Sequence, residues 1–134
     1  MQPASERFPP HILESIQRQL AEFVAANPGV TLAVLTSGDG FEVAAHPHMQ
    51  IAQRIAAMSS SLQALSEAIL REAGLSRSRN LIIESDGGTI VVLAIPDTSP
   101  RLSLAVVASG SEILGRLLWA TRSCCAALGR SLQP

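Results

Sequence analysis

Residues 51–71 read IAQRIAAMSSSLQALSEAILR, and their spacing makes them one long helix with two unlike apolar flanks. Ile51, Ile55, Met58, Leu62, Leu65 and Ile69 recur at intervals of four and three, which gathers large side chains into one stripe. Beside it runs a stripe of small residues, Ala57, Ser61, Ala64 and Ala68, and a third line, Ala52, Ala56 and Ser59, is also small. Clear solvent chemistry is left to Gln53, Ser60, Glu67 and Arg71. So few charges over so many turns imply more cover than one sheet can give. Small side chains let another backbone come close, so the flank from Ala57 to Ala68 is expected to meet a helix of a second copy. The competing explanation is a helix buried within its own monomer.

Working outward, Pro9 and Pro10 suit a helix start, and Ile12, Leu13, Ile16, Leu20, Phe23 and Val24 form one apolar face after them. Asn27-Pro28-Gly29 ends that helix. Val30–Thr36 and Phe41–Ala45 are strand candidates joined by Ser37-Gly38-Asp39-Gly40, a tight-turn sequence. Downstream, strands are predicted at Asn80–Glu84, Thr89–Ile95 and Leu102–Ala108. Their connections are too short for a crossover, so neighbours should be antiparallel. Ile90–Ile95 and Leu104–Val107 are almost unbroken apolar runs, which requires cover on both faces of the sheet centre. Asn80–Glu84 carries Glu84 and fewer apolar groups, which suits an edge open to a copy of itself. A last helix begins at Gly110-Ser111-Glu112 and buries Ile113, Leu114, Leu117, Leu118, Thr121, Cys124 and Leu128. Trp119 falls nearly opposite that face, either packed on the first helix or presented to a partner.

A chain of 134 residues is long enough for one domain with its own core. The expected division is a loose segment over 1–10, one domain over 11–130 and a short tail over 131–134. A net charge of −1 gives no field to attract nucleic acid, and 3% aromatic residues with no tyrosine supply no stacking platform for single strands. No apolar run is long enough to span a bilayer and no leader pattern opens the chain, so a cytoplasmic protein without membrane insertion is expected.

Reactive constellations are weak. Cys124 and Cys125 are adjacent, too close for ordinary disulfide geometry, and read as small core residues. His46 and His48 lack further zinc ligands at a useful spacing. Gly110-Ser111-Glu112-Ile113 lacks the frame of a nucleophile elbow, and no lysine exists anywhere to complete a phosphate-binding P-loop. The chain is therefore expected to be non-enzymatic, with no catalytic residue, no metal and no cofactor.

The full order, helix–strand–strand–helix–strand–strand–strand–helix, is the point at which a family can be recognised. The chain resembles the Roadblock/dynein light chain family, in particular its bacterial MglB-like members. The likeness rests on Gly29-Val30 leading to Leu35-Thr36-Ser37-Gly38-Asp39-Gly40, on Ile55-Ala56-Ala57-Met58-Ser59, and on Glu112-Ile113-Leu114-Gly115-Arg116. It spans about residues 11–130.

The resemblance implies an α/β (α+β) three-layer sandwich, a five-stranded antiparallel sheet with one helix on one face and two on the other. It also implies a homodimer in which third strands pair and middle helices pack side by side. The expected interface is then Ala57, Ser61, Ala64, Ala68, Leu81 and Ile83. Dimers of such proteins serve as platforms for Ras-like small GTPases, and MglB-like members stimulate GTP hydrolysis on their partner. Candidate platform residues are Arg54, Ser60, Glu67, Arg71 and Trp119. An activator either lends an arginine to the transition state or repositions groups the GTPase already owns. Repositioning is the expectation, with Arg54, Arg71, Arg77 and Arg79 the residues to test for the other route. Two further functions remain open: a scaffold subunit with no effect on nucleotide turnover, and a small-ligand sensor. A crowded apolar core with few buried polar groups argues against the sensor.

Overall fold

The computed structural model describes residues 7–78, 80–98, 101–110 and 113–133. In chain order the elements are α1 (Pro10–Ala26), β1 (Val30–Ser37), β2 (Glu42–His46), α2 (Ile51–Glu72), β3 (Asn80–Ser85), β4 (Gly88–Ala94), β5 (Leu102–Ser109) and α3 (Leu114–Ser131). The five strands form one sheet in the order β2-β1-β5-β4-β3, every neighbouring pair antiparallel. This is the expected α/β three-layer sandwich. β1 and β5 lie towards its centre, and β3 is an edge as its sequence suggests.

Local chemistry sets the boundaries. Pro10 occupies the first position of α1, where a missing N–H costs nothing. The Asn27 side-chain amide closes that helix by donating to the Phe23 carbonyl at 2.8 Å. At the end of α2, the Gly74 N–H bonds the Arg71 carbonyl and the Leu75 N–H bonds the Leu70 carbonyl. These two bonds make a Schellman cap, and Gly74 takes the φ of 76° it requires. Between β4 and β5, the Thr98 hydroxyl donates to the Ile95 carbonyl and accepts the Leu102 N–H, each at 3.1 Å.

Alternation along the strands sends side chains into two separate cores. Val91, Leu93, Leu104 and Val106 meet Ile16, Leu20 and Phe23 of α1 and Leu117, Cys124 and Leu128 of α3. On the other face Leu32, Val34, Val92 and Ala105 meet Ala52 and Ala56 of α2. The unbroken apolar runs in β4 and β5 thus serve two layers at once.

Three boundaries differ from the sequence reading. α3 starts at Leu114, because Ile113 is its extended N-cap and is exposed rather than buried; Ser111 and Glu112 lie outside the described residues. Ser131 is still helical and its hydroxyl accepts a bond from Gln19 at 2.6 Å, so the folded unit runs past residue 130. At the other end Phe8 packs against the core and Arg7 pairs with Asp39 at 2.8 Å. Residues 1–6, the main part of the expected loose segment, lie outside the described residues, as does Pro134.

Candidate functional site

The orientation of α2 creates the site. Its sheet-facing line is Ala52, Ala56 and Ser59, all buried, which lets the helix sit close on the sheet. The helix packs mainly on β1, β2 and β5 and leaves the outer part of the β4–β3 end of the same face open. Its stripe of large residues therefore points sideways, towards that open end. Met58, Leu65 and Ile69 are 62%, 58% and 60% exposed. Together with Ile55 and Leu62 from α2, and Ile83, Ile90 and Val92 from the sheet, they flank or line an apolar groove of roughly 570 Å³.

The small-residue flank is divided. Ala57 and Ser61 reach the groove, whereas Ala64 and Ala68 are exposed outside it, further round the helix. The groove side of α2 is made mostly of large side chains, while Ala52, Ala56 and Ser59 take up the close packing on the sheet. Leu81 is half-buried beside the α2-side core and Ile83 is exposed at the groove. Met58, Leu65, Ile90 and Val92 line the groove in addition to the expected interface residues. The signal for Met58 and Leu65 is the stripe of large residues on α2, and that for Ile90 and Val92 is the unbroken apolar run of β4.

The platform candidates divide. Arg54 and Arg71 are exposed on α2. Ser60 is held, its hydroxyl donating to the Gly38 carbonyl at 2.8 Å, which ties α2 to the β1–β2 turn. Glu67 is also engaged: it accepts the Ser78 N–H at 3.4 Å and pairs with Arg101 at 3.5 Å. Arg101, which sequence reasoning passes over, thereby joins the polar flank of α2. Trp119 is 71% exposed on α3, in the layer on the opposite side of the sheet. It stands at the rim of a surface groove between α1 and α3, with Phe23, Ala26 and Ala120 among the lining residues. A single flat surface cannot hold it together with Arg54 and Arg71. Arg77 is exposed in the link after α2, and Arg79 lies outside the described residues.

Electrostatics are mild throughout. Asp39 in the β1–β2 turn accepts the Ser37 hydroxyl and the Arg7 guanidinium, and both hold its carboxyl below the usual carboxylate value. Burial pushes the Cys124 thiol up to about 11 and the Cys125 thiol to about 12, so both stay protonated and unreactive at neutral pH. Among the described residues, no helix is long and apolar enough to cross a membrane.

Comparison with known proteins agrees with this architecture. No curated protein matches the sequence. Among solved structures, a Roadblock/LC7 domain from Streptomyces avermitilis superposes with a TM-score of 0.77 at 24% identity, over 87% of this chain and 96% of that one. The gliding protein MglB from Thermus thermophilus gives a TM-score of 0.81 at 18% identity, over 98% of this chain and 97% of the other. MglB from Myxococcus xanthus gives 0.78 at 12% identity, over 91% and 93%. At these identities the likeness speaks for the fold. The family model for the Roadblock/LC7 domain matches residues 16–108, from the middle of α1 to the end of β5. With that span matched and the αββαβββα sandwich in place, the chain belongs to the Roadblock/LC7 family.

Proposed function

We propose that this protein is a non-enzymatic homodimeric platform that binds and regulates a Ras-like small GTPase. The observation that carries this reading is the open apolar groove beside α2 in a member of the Roadblock/LC7 family. A groove of that size, contiguous with a free sheet edge, is costly to leave in water, and a second copy covers both. Two α2 helices then lie side by side and present their outer surfaces together.

Those outer surfaces carry small residues, Ala64 and Ala68, with Arg54 and Arg71 on the same helix. Such a face is flat enough for a globular partner and has charges to orient it. Exposed arginines on that face are the groups through which a partner would be oriented. The step proposed is repositioning of groups the GTPase already owns, and the arginine variants below distinguish it from an arginine lent to the transition state.

Hydrolysis by a Ras-like GTPase from the same genome, measured against rising concentrations of this protein, tests the proposal. Arg54→Ala, Arg71→Ala and Arg77→Ala should raise the concentration needed for half-maximal effect and leave the plateau rate within about threefold of wild type. An arginine variant that abolishes stimulation at saturation would replace repositioning with an arginine supplied in trans. No effect on turnover combined with no binding would remove the GTPase from the proposal.

A further inference from the structure

Beside α2 the same face of the sheet carries a second recess, polar where the groove is apolar. It is built around Ser103. Alternation along β5 sends Leu102 and Leu104 to the α1–α3 core and Ala105 to the α2 side, so Ser103 points towards α2. Ser103 is only 3% exposed, and its hydroxyl makes no hydrogen bond among the described residues. No fully buried side-chain nitrogen or oxygen there lacks a partner, so this hydroxyl is not sealed in. It opens into a recess of about 140 Å³, lined also by Arg101, by Gly38 of the β1–β2 turn, and by Ser60, Gln63 and Glu67 of α2.

The hydrogen-bonding capacity left in that recess is of both kinds. The Ser60 hydroxyl gives its proton to the Gly38 carbonyl at 2.8 Å, so its oxygen retains only lone pairs. Glu67 has a side chain 19% exposed, and its contacts with the Ser78 N–H at 3.4 Å and with Arg101 Nη1 at 3.5 Å both fall on Oε1. Oε2 is left without a partner among the described residues. A guanidinium carries five N–H groups, and the Glu67 contact of Arg101 uses one terminal nitrogen. The Gln63 side-chain amide makes no hydrogen bond among the described residues. Arg101, Ser103 and Gln63 therefore supply donors, while Glu67 Oε2, Ser60 Oγ and the Gly38 carbonyl supply acceptors. One positive and one negative charge face the same small space.

A lone anion held by Arg101 would lie beside the Glu67 carboxylate, and a lone cation held by Glu67 would lie beside the guanidinium. Each is repelled by its second neighbour. A molecule carrying both charges avoids both penalties. We propose that this recess binds a small zwitterionic α-amino acid, with its carboxylate on Arg101, Ser103 and Gln63 and its ammonium group on Glu67 Oε2, Ser60 Oγ and the Gly38 carbonyl. At about 140 Å³ the recess is well below the range of roughly 300–1,000 Å³ for drug-sized ligands, which limits the side chain to a few atoms. Glycine, alanine and serine are the class it takes. The bound molecule bridges α2, the β1–β2 turn and β5, and its binding requires neither a second copy nor a GTPase.

Titration of the full isotope-labelled chain with L-alanine, followed by amide NMR, tests the site, with acetate and methylamine as single-charge controls. L-Alanine should give saturable shifts centred on Gly38, Ser60, Gln63 and Ser103, with a dissociation constant below about 1 mM. Acetate and methylamine should bind at least about tenfold more weakly, since each meets one wrong charge. Ser103→Ala removes one donor at little change in volume and should weaken L-alanine at least about fivefold. Glu67→Gln keeps the shape but removes the negative pole, so it should weaken L-alanine and bring acetate to equal or tighter binding, a reversal that general loosening of the fold would not produce. Arg101→Gln should abolish binding of both; that side chain is 45% exposed, so its loss leaves the fold intact and decides the matter even if Ser103→Ala unfolds. No saturable shift with L-alanine, glycine or L-serine up to about 20 mM would overturn the proposal. So would acetate binding wild type as tightly as L-alanine, L-phenylalanine binding as tightly as L-alanine, or undiminished binding by Arg101→Gln.

Discussion

Truncating Met58 and Leu65 together to alanine should split the dimer while leaving the protomer folded. Both side chains stand mostly clear of their own chain, at 62% and 58% exposure. Fully burying such a side chain contributes about 1.5–3 kcal/mol, so the part left for a neighbour to cover amounts to about 1 kcal/mol each, allowing for the methyl group alanine retains. A two-fold axis doubles every change. Two positions in two copies give about 4 kcal/mol, or about 1,000-fold in dissociation constant. The four groups lie in one groove and couple, so a loss between about 100-fold and 1,000-fold is expected. Sedimentation equilibrium over a concentration series measures this directly, with circular dichroism at a concentration where the variant is monomeric. A variant that dimerises as tightly as wild type would show that the groove is not the interface. An unfolded variant would show that these side chains support their own protomer, against their exposure.

Other perturbations probe the rest of the fold. Gly88→Ala should destabilise the protein by about 1–3 kcal/mol in urea unfolding, since a Cβ there would overlap the Ala108 carbonyl oxygen, a backbone atom that cannot swing away. Leu128→Ala, in the fully buried face of α3, should cost about 2–5 kcal/mol; a loss under about 1 kcal/mol would contradict its place in the core. Thiol titration at pH 8 should find Cys124 and Cys125 unreactive in the native protein and fully reactive in denaturant. Asp39 has its carboxyl lowered by the Ser37 hydroxyl and Arg7, so its contribution is present above the ordinary carboxylate range and is lost as pH falls through its depressed value. Asp39→Asn should therefore flatten the acid limb of the stability curve slightly and leave stability near pH 7 less than that of the wild type.

Much of this architecture was legible because its periodicities are clean. Ile16, Leu20 and Phe23 repeat at helical spacing and are buried, and the apolar run in β4 reads as a covered strand, which holds for Val91, Val92 and Leu93 but not for Ile90, half-buried at the groove. The pairing of β1 with β5 was not legible from spacing, because two strands separated by some sixty residues carry no mark of which neighbour they choose; it is seen only in the fold. The rotation of α2 on the sheet was not legible, for a physical reason. Large residues at helical spacing look like the face that packs on the sheet, but here Ala52, Ala56 and Ser59 allow the helix to sit close, and the large stripe faces sideways. Periodicity reports that a face is apolar; it does not report what covers it. The polar flank was half legible: Ser60 and Glu67 stand out in the sequence, while their fixed partners Gly38 and Arg101 lie far away along the chain and are joined to them only by the fold.

The central claim is a platform that distinguishes the nucleotide state of a small GTPase. The most direct measurement is the affinity of the purified protein for a Ras-like GTPase of its own genome, loaded first with GDP and then with a non-hydrolysable GTP analogue. A platform regulator predicts binding at least tenfold tighter to the analogue form, with Arg54→Ala or Arg71→Ala weakening it. Equal affinity for both forms, or no binding to either by a preparation shown to be dimeric, would contradict it.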